Sequence, residues 1–385
     1  MDYKNRSGTF VRQQKDYTAF IPKQLPPEPV LNIDLEMIRL LSSADRRLGR
    51  LDGITQTLPN PDLFVAMYVK KEAVLSSQIE GTQASLIDVL DEDESNDRYK
   101  EKNVEDVVNY INAMNFGLKR LEELPLCLRL IKEIHIILLK DVRGSEKSPG
   151  EFRRSQNWIG AGGCTLTNAT FVPPPVPEMI EAMNQLEVFM YENDELPPLI
   201  QIALIHAQFE TIHPFLDGNG RMGRLLITFW LCQQKILGSP LLYLSYFFKM
   251  NRIEYYDRLM NVRRKGDWEG WIKFFLQGIA SVSDESISTA KEILKMKEEH
   301  VAKVNHGVRN PANGLKLLES MFEHPIITIK KVEELLGVSY PTANTIVTEF
   351  CNLGILKQNG DNIRNKKYSY DRYIKLLNAG TEVIK

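Results

Sequence analysis

The sequence predicts a mainly α-helical protein with two small β-hairpins, the second belonging to a C-terminal winged helix-turn-helix. Three observations lead there. Apolar residues recur at helical spacing from about residue 104 to residue 281. Gly and Pro crowd into one stretch, residues 150–175. Beyond Asn310-Pro311 the pattern changes to three short helical runs and then an alternating segment with Asn359-Gly360 at its centre.

Taken in order, residues 17–29, YTAFIPKQLPPEP, form a Pro-rich extended arm suited to packing on a core. Helices are expected over residues 34–51 and 62–80, the second starting after Pro61 and stopping at Gly81. Asp91-Glu92-Asp93-Glu94 reads as a solvated loop. Gly150-Glu151-Phe152-Arg153, Gly160-Ala161-Gly162-Gly163 and residues 164–172 read as turns and a short hairpin before Pro173-Pro174-Pro175. Leu199, Ile200, Ala203, Leu204 and Ala207 have the spacing of an amphipathic helix over residues 199–212. Pro214 interrupts it, so His213 sits at a helix end facing a loop, and residues 222–233 are the next helix. Residues 291–304 are a charged helix leading to a linker at Asn310-Pro311. Last come helices over 314–322, 328–336 and 341–353, with Gly337-Val338-Ser339 as the turn and residues 355–370 as the wing.

Composition narrows the function classes. With 385 residues, 43% hydrophobic and 25% charged, the chain has room for two or three globular domains. A net charge of -2 gives no global attraction to nucleic acid or membrane. Cys127, Cys164, Cys232 and Cys351 form no CxxC pair, so neither a zinc site nor a disulfide framework is indicated and reduced cytosol is the expected compartment. The polar N-terminus MDYKNRSGTF lacks the apolar centre of a secretory signal, and no run of about 18 apolar residues exists. Neither export nor membrane insertion is expected.

The chemistry concentrates in residues 213–224, HPFLDGNGRMGR. Gly218 and Gly220 flank Asn219 where the chain enters a new helix, an arrangement that lets backbone N–H groups approach a phosphate. Arg221 and Arg224, three apart, share a helical face and suit successive phosphates. Asp217 is the natural Mg²⁺ ligand, because Mg²⁺ usually takes one or two carboxylates plus phosphate oxygens. His213, with an ordinary pKa of about 6.5, suits a general base near neutrality.

Residues 213–224 match the signature HPFxDGNGRxGR of the Fic family without departure, and the chain is identified on that motif as resembling a protein adenylyltransferase. The resemblance implies ATP as substrate and Mg²⁺ as cofactor, with AMP passing to a Tyr, Thr or Ser hydroxyl of a target protein and of the enzyme itself. It makes His213 the base, Asp217 the metal ligand and Phe215 a buried spacer. Glu80, His213, Gly218, Asn219, Gly220, Arg221, Met222, Gly223 and Arg224 become nucleotide contacts, and Tyr256, in residues 243–258, a contact to the adenine. Relatives that transfer phosphate instead resemble DxNKR at this point, so Gly220 favours adenylylation. Phosphocholine transfer is a rarer outcome that the motif leaves open.

Ser76-Ser77-Gln78-Ile79-Glu80-Gly81 resembles the family's inhibitory sequence, S or T, three residues, E, then G or N. A carboxylate in the last turn of a helix opposes the macrodipole by about 0.3–1 kcal/mol unless a cation answers it. The resemblance supplies Arg224 as that cation and has Ser76, one turn earlier, steady the Glu80 carboxylate. The Glu80–Arg224 pair would then deny ATP its productive pose. In some relatives the same Glu aligns a water that removes AMP. Residues 150–175 resemble the family's flap, which docks an extended segment of the target by strand addition. His135 is expected to be structural, and His206, His300, His306 and His324 have no spacing that suggests a metal site.

The resemblance divides the chain into an N-terminal arm and inhibitory helical region (1–110), a Fic (Fido) catalytic core with a β-hairpin flap (111–281), a helical linker (282–310) and the winged helix-turn-helix (311–385). A homodimer is common among relatives and expected here. In a winged helix, Ser339, Tyr340, Thr342 and Asn344 would face bases, with Lys357, Arg364, Lys366 and Lys367 near phosphate. Residues 326–385 carry nine Lys and Arg against six Asp and Glu, short of a strong basic footprint, so DNA binding and protein docking both stay open. The competing reading of the whole chain is a nucleotide-sensing DNA-binding transcriptional regulator. An intact His213 and Asp217 favour the enzyme, since a sensor needs no base.

Overall fold

The computed structural model describes the chain except residues 1–4, 15, 57–60, 92–97, 143, 193–194, 361–365 and 383–385. Glu92, Asp93 and Glu94 of the acidic run and Arg364 of the wing lie outside the described residues.

The arm is partly a hairpin. β1 (Gly8–Arg12) pairs antiparallel with β2 (Thr18–Pro22), Phe10 opposite Phe20. The extended arm expected from Tyr17 onward therefore begins as a paired strand. No Asn-Gly or similar turn marks the five residues between the strands, which is why the sequence hides it. The Phe20 amide donates to the Val172 carbonyl at 2.9 Å, so the arm also grips the base of the flap.

The helical body follows: α1 (Leu35–Gln56), α2 (Pro61–Ile79), α3 (Leu86–Leu90), α4 (Arg98–Arg120), α5 (Leu128–Leu138), α6 (Val176–Glu192), α7 (Pro198–Ile212), α8 (Asn219–Gln233), α9 (Ser245–Met250), α10 (Arg252–Lys265) and α11 (Trp268–Gly307). At the centre lies α7, flanked by α6, α8, α10 and α11, with every residue from Leu199 to Ile212 buried. The amphipathic helix read from the sequence is thus buried on all faces. Its glutamines still find partners: Gln201 donates to the Leu196 carbonyl and Gln208 to the Lys23 carbonyl. A helix enclosed in this way gains about 1.5–3 kcal/mol for each large aliphatic side chain removed from water.

The charged run 291–304 continues α11 without a break. Ile293, Met296, His300 and Val304 are buried along one stripe of it, and α1 packs against α11 as well. The flap is a loop in which Ile159 and Phe171 exchange both backbone hydrogen bonds at 2.8 and 3.0 Å. Among the described residues that single bridge replaces the expected hairpin ladder. The turn beyond it is tight: a Cβ on Gly160 would lie 2.6 Å from the Cys164 sulfur.

The C-terminal module comprises α12 (Pro311–Glu323), β3 (Ile326–Thr328), α13 (Ile329–Leu336), α14 (Tyr340–Asn352), β4 (Lys357–Asn359), β5 (Lys367–Ser369) and α15 (Asp371–Asn378), with strand order β3-β5-β4. The Thr328 hydroxyl caps α13 and Gly337, at φ +65, ends it. This module packs on the body: α15 touches α2, α3 and α11, and Lys367 pairs with Asp91 at 2.7 Å.

Candidate active site

The site is built where α7 gives way to α8. His213 caps α7 in the left-handed conformation (φ 50), and Gly218 (φ 75) opens α8. Between them the chain turns back on itself around Asn219, whose side chain accepts from the Phe215 amide and donates to the Phe215 carbonyl, both at 2.8 Å. The Asn219 side chain is used inside the loop, so the nucleotide contact expected of this residue falls to its backbone. Met222 is also turned inward, fully buried, with its amide bonded to Gly218. Neither presents a side chain to a ligand, because the first turn of α8 needs one of them as a clamp and the other as core.

Residues remote in sequence complete the loop. Arg153, buried, donates to the His213 carbonyl at 3.1 Å and to the carbonyls of Ser155 and Pro174, while its own amide donates to Pro214. Asn157 donates to the carbonyls of His213 and Phe215 at 3.2 and 2.9 Å. His135 stacks on the Phe215 ring at 3.7 Å between centroids. Because the Gly150 amide donates to its Nδ1 (2.9 Å), the His135 proton lies on Nε2 and is given to the Asp217 carbonyl at 3.0 Å. Burial holds that imidazole neutral, at about 4. Phe215 is the buried spacer expected of it.

Burial, reinforced by the nearby Arg263 and Arg153 guanidiniums, lowers His213 to about 4. It is therefore neutral at pH 7, the form that can accept a proton. Its Nδ1 is buried without a hydrogen-bond partner among the described residues, and the residue as a whole is partly exposed. Arg263 donates to the Thr211 hydroxyl and the Glu210 carbonyl and lies 4.0 Å over the Phe171 ring, linking this helix end to the flap.

Asp217 accepts from the Gly218 amide at 2.7 Å and pairs with Lys147 at 3.1 Å. Burial would raise its carboxyl, but Lys147 and that amide outweigh burial and leave it below its ordinary range. Among the described residues no group of three or more His, Cys, Asp or Glu is arranged to hold a metal. One anionic, partly exposed carboxylate suits Mg²⁺, which completes its shell from phosphate and water.

The two arginines diverge. Arg221 is nearly buried and bonds Asp106 of α4 at 3.0 Å, with Asp217 at 3.9 Å. Arg224, 2% exposed, turns to α2: its Nε donates to the Ser76 hydroxyl (2.8 Å), and a terminal nitrogen donates to the Ser76 carbonyl (3.0 Å) and the Glu80 carboxylate (2.7 Å). Ser76 thus steadies the arginine and not the carboxylate, since Arg224 stands between them. Glu80 itself lies one residue past the end of α2, 39% exposed. Burial would raise its carboxyl, yet Arg224 brings it below the usual range, while Arg224 is raised in turn.

Two glycines acquire a steric reason. A Cβ on Gly220 would strike the Glu80 carboxylate, and one on Gly223 the Glu210 carboxylate. Glu210 is buried with Oε1 unpartnered, and burial raises its carboxyl to about 7. The His206 ring bridges the Gly223 carbonyl and the Tyr255 hydroxyl, each at 2.9 Å. Tyr256, 40% exposed, begins its own turn of α10 beside Arg252, 5.7 Å from its ring. Its phenol feels the Glu80 and Arg224 charges, so it borders the same cleft. His213, Asp217, Arg221, Arg224, Glu80 and Tyr256 are therefore brought together.

Sequence reasoning missed Arg153, Asn157, Asp106, Lys147 and Arg263. One signal was available: the Gly150–Arg153 turn is dense in charged residues beside a glycine, although nothing local says where Arg153 reaches.

Residues 38–119 match the domain family described as Fic/DOC family N-terminal, and residues 125–231 match the Fic/DOC family. The chain is 29% identical over 248 residues to the protein adenylyltransferase Fic of Drosophila mojavensis, covering 61% of this chain and 45% of that protein. With the protein of the same name from Aedes aegypti it shares 34% identity over 149 residues, 38% of this chain and 26% of that one. It spans less than half the length of either relative. Among solved structures, a Fic family protein from Desulfovibrio desulfuricans G20 superposes with a TM-score of 0.59 at 20% identity, covering 88% of this chain and 97% of its own. A Fic domain containing signaling protein from Bacteroides thetaiotaomicron gives 0.51 at 19%, covering 64% and 95%. These structures share the fold.

Proposed function

Because the chain belongs to the Fic/DOC family, we propose that it is a protein adenylyltransferase held at rest by its own Glu80. The target hydroxyl gives its proton to His213 and attacks the α-phosphorus of ATP; a new P–O bond forms, the bond to the bridging oxygen breaks, and pyrophosphate leaves. A base neutral at pH 7 suits the first step. Arg221 and the N-terminus of α8 meet the polyphosphate. Asp217 would hold Mg²⁺, which neutralises phosphate charge, once Lys147 moves aside. Tyr256 borders the adenine, and the loop beyond the Ile159–Phe171 bridge offers main-chain groups to an extended target segment.

The observation that carries the reading is the 2.7 Å pairing of Arg224 with Glu80 beside His213. While the pair holds, the arginine is unavailable to a γ-phosphate. The C-terminal module, with Tyr340, Thr342, Asn344 and Thr348 exposed on one side of α14, is read as a winged helix that localises the enzyme on DNA or on a protein.

ATP labelled at either the α- or the γ-phosphate, supplied with Mg²⁺ to the Glu80→Gly protein, tests the transfer. The α-label should become acid-stable on protein and the γ-label should not, and His213→Ala should abolish the signal. Retention of γ-label, or of neither, would overturn the reading.

A further inference from the structure

The turn that carries Glu80 is fastened by a part of the chain 300 residues away. Gln78 stands two residues before Glu80. Its side-chain nitrogen donates to the carbonyls of Ala84 and Thr381, both at 2.9 Å, and its oxygen accepts from the Lys249 ammonium at 2.7 Å. The same ammonium donates to the carbonyls of Gly380 (3.1 Å) and Glu382 (2.6 Å). All three Lys249 protons and both Gln78 amide protons are therefore committed. Gly380 and Thr381 follow α15 and are fitted closely: Thr381 is fully buried, and at Gly380 (φ +80) a Cβ would strike the Tyr246 ring. A second fastening, Lys367 to Asp91, lies just past α3, so the C-terminal module touches residues 78–91 near both ends.

The turn's own bonds are few. The amides of Glu80 and Thr82 donate to the Ser77 carbonyl at 3.1 Å, and that of Gly81 to the Gln78 carbonyl. Glu80 and Gly81 are exposed.

We propose that the C-terminal module is the lock on the inhibitory turn: residues 380–382, clasped to Gln78 through Lys249, keep Glu80 on Arg224, and unseating the module releases it. This deepens the reading of Glu80 as a brake and rests on it. Unseating strips a nearly buried ammonium of two acceptors at once, which makes a half-open state costly and the coupling close to two-state. A ligand of the C-terminal module whose bound pose is incompatible with the clasp would therefore activate the enzyme. By reciprocity, a nucleotide that expels Glu80 would loosen the module.

Two variants of the full chain test this: Lys249→Met, which keeps the aliphatic stem and removes the donor, and Gly380→Val, which pushes residues 380–382 off Tyr246. Hydrogen exchange is read at residues 78–84 and at 213–219, and self-labelling from α-labelled ATP is read against Glu80→Gly. Both variants should exchange about tenfold faster at 78–84, leave 213–219 unchanged, and label toward the Glu80→Gly level. Wild-type exchange at 78–84 in both variants overturns the lock, whatever the labelling. Faster exchange with Glu80→Gly itself unlabelled sustains the lock and removes the transferase reading instead. If Lys249→Met loosens α7 and α8 as well, Gly380→Val, placed outside the body, decides.

Discussion

Residues 213–219 and residues 78–82 each lie at the C-terminal end of a largely buried helix, but their anchors differ in kind. The first segment is tied by Arg153, Asn157, His135 and its own Asn219, all at least partly buried and nearly all bonded to its main-chain groups. Moving it would leave several buried carbonyls unpaired at once. The second is tied by side chains whose partners can change: Arg224 would have a phosphate as an alternative to Glu80 in the proposed reaction, and Lys249 reaches residues 380–382 after the last helix. If the proposed transfer holds, the His213 loop is preorganised in the resting protein and the Glu80 brake is contingent. Inhibition of that kind would cost nothing in catalytic geometry, because release would alter the partner of one arginine and not the position of the proposed base.

Substitutions can break that contrast. The largest effect falls on His213→Ala, which should lower transfer in a Glu80→Gly background about 10²–10⁴-fold with an unchanged melting temperature, since the buried Nδ1 of the ring has no hydrogen-bond partner to lose. A melting temperature that fell with the rate would make His213 a structural residue. Next is Arg153→Met. Three carbonyls each lose a donor, so stability should fall by about 2–3 kcal/mol in urea unfolding, and transfer should drop even with Glu80 removed. A stable Arg153→Met with full activity would mean the loop is not held as described.

The pH profile sharpens the comparison further. With His213 lowered by burial, the acid limb of kcat/KM should lie below the ordinary imidazole value of about 6.5, activity falling as pH drops toward about 4 and the base takes up a proton. Glu80 raises that imidazole, so Glu80→Gly should place the limb no higher than in wild type. A limb above 6.5 would indicate another base. The smallest effect belongs to Ser76→Ala, which removes one hydrogen bond from Arg224 and leaves the Glu80 pair; resting activity should rise about fivefold, well short of Glu80→Gly.

The same contrast explains what the sequence could disclose. His213, Asp217, Gly218, Arg221 and Arg224 lie within twelve residues, and their chemistry is legible because backbone geometry alone brings them together. The Glu80–Arg224 pair was legible through the family resemblance, helix-end electrostatics saying only that a cation there would help, and the Ser76 contact was not, since i,i+4 spacing says nothing of a third group inserted between. Arg153, Asn157 and Asp106 reach across 56 to 115 residues, and no periodicity reports such a reach. The bounds of α7 were legible but not its enclosure, since its apolar spacing reads as one-faced while Gln201 and Gln208 are buried with partners inside. The flap failed as a ladder because Gly160 and the triple proline leave room for one bridge.

The most direct test of the account is the initial rate of transfer from α-labelled ATP by wild type and by Glu80→Gly, each corrected with its His213→Ala counterpart. A gain of about 10–100-fold in Glu80→Gly, wholly dependent on His213, is the predicted result. Equal rates in the two proteins, or a gain that persists without His213, would contradict it.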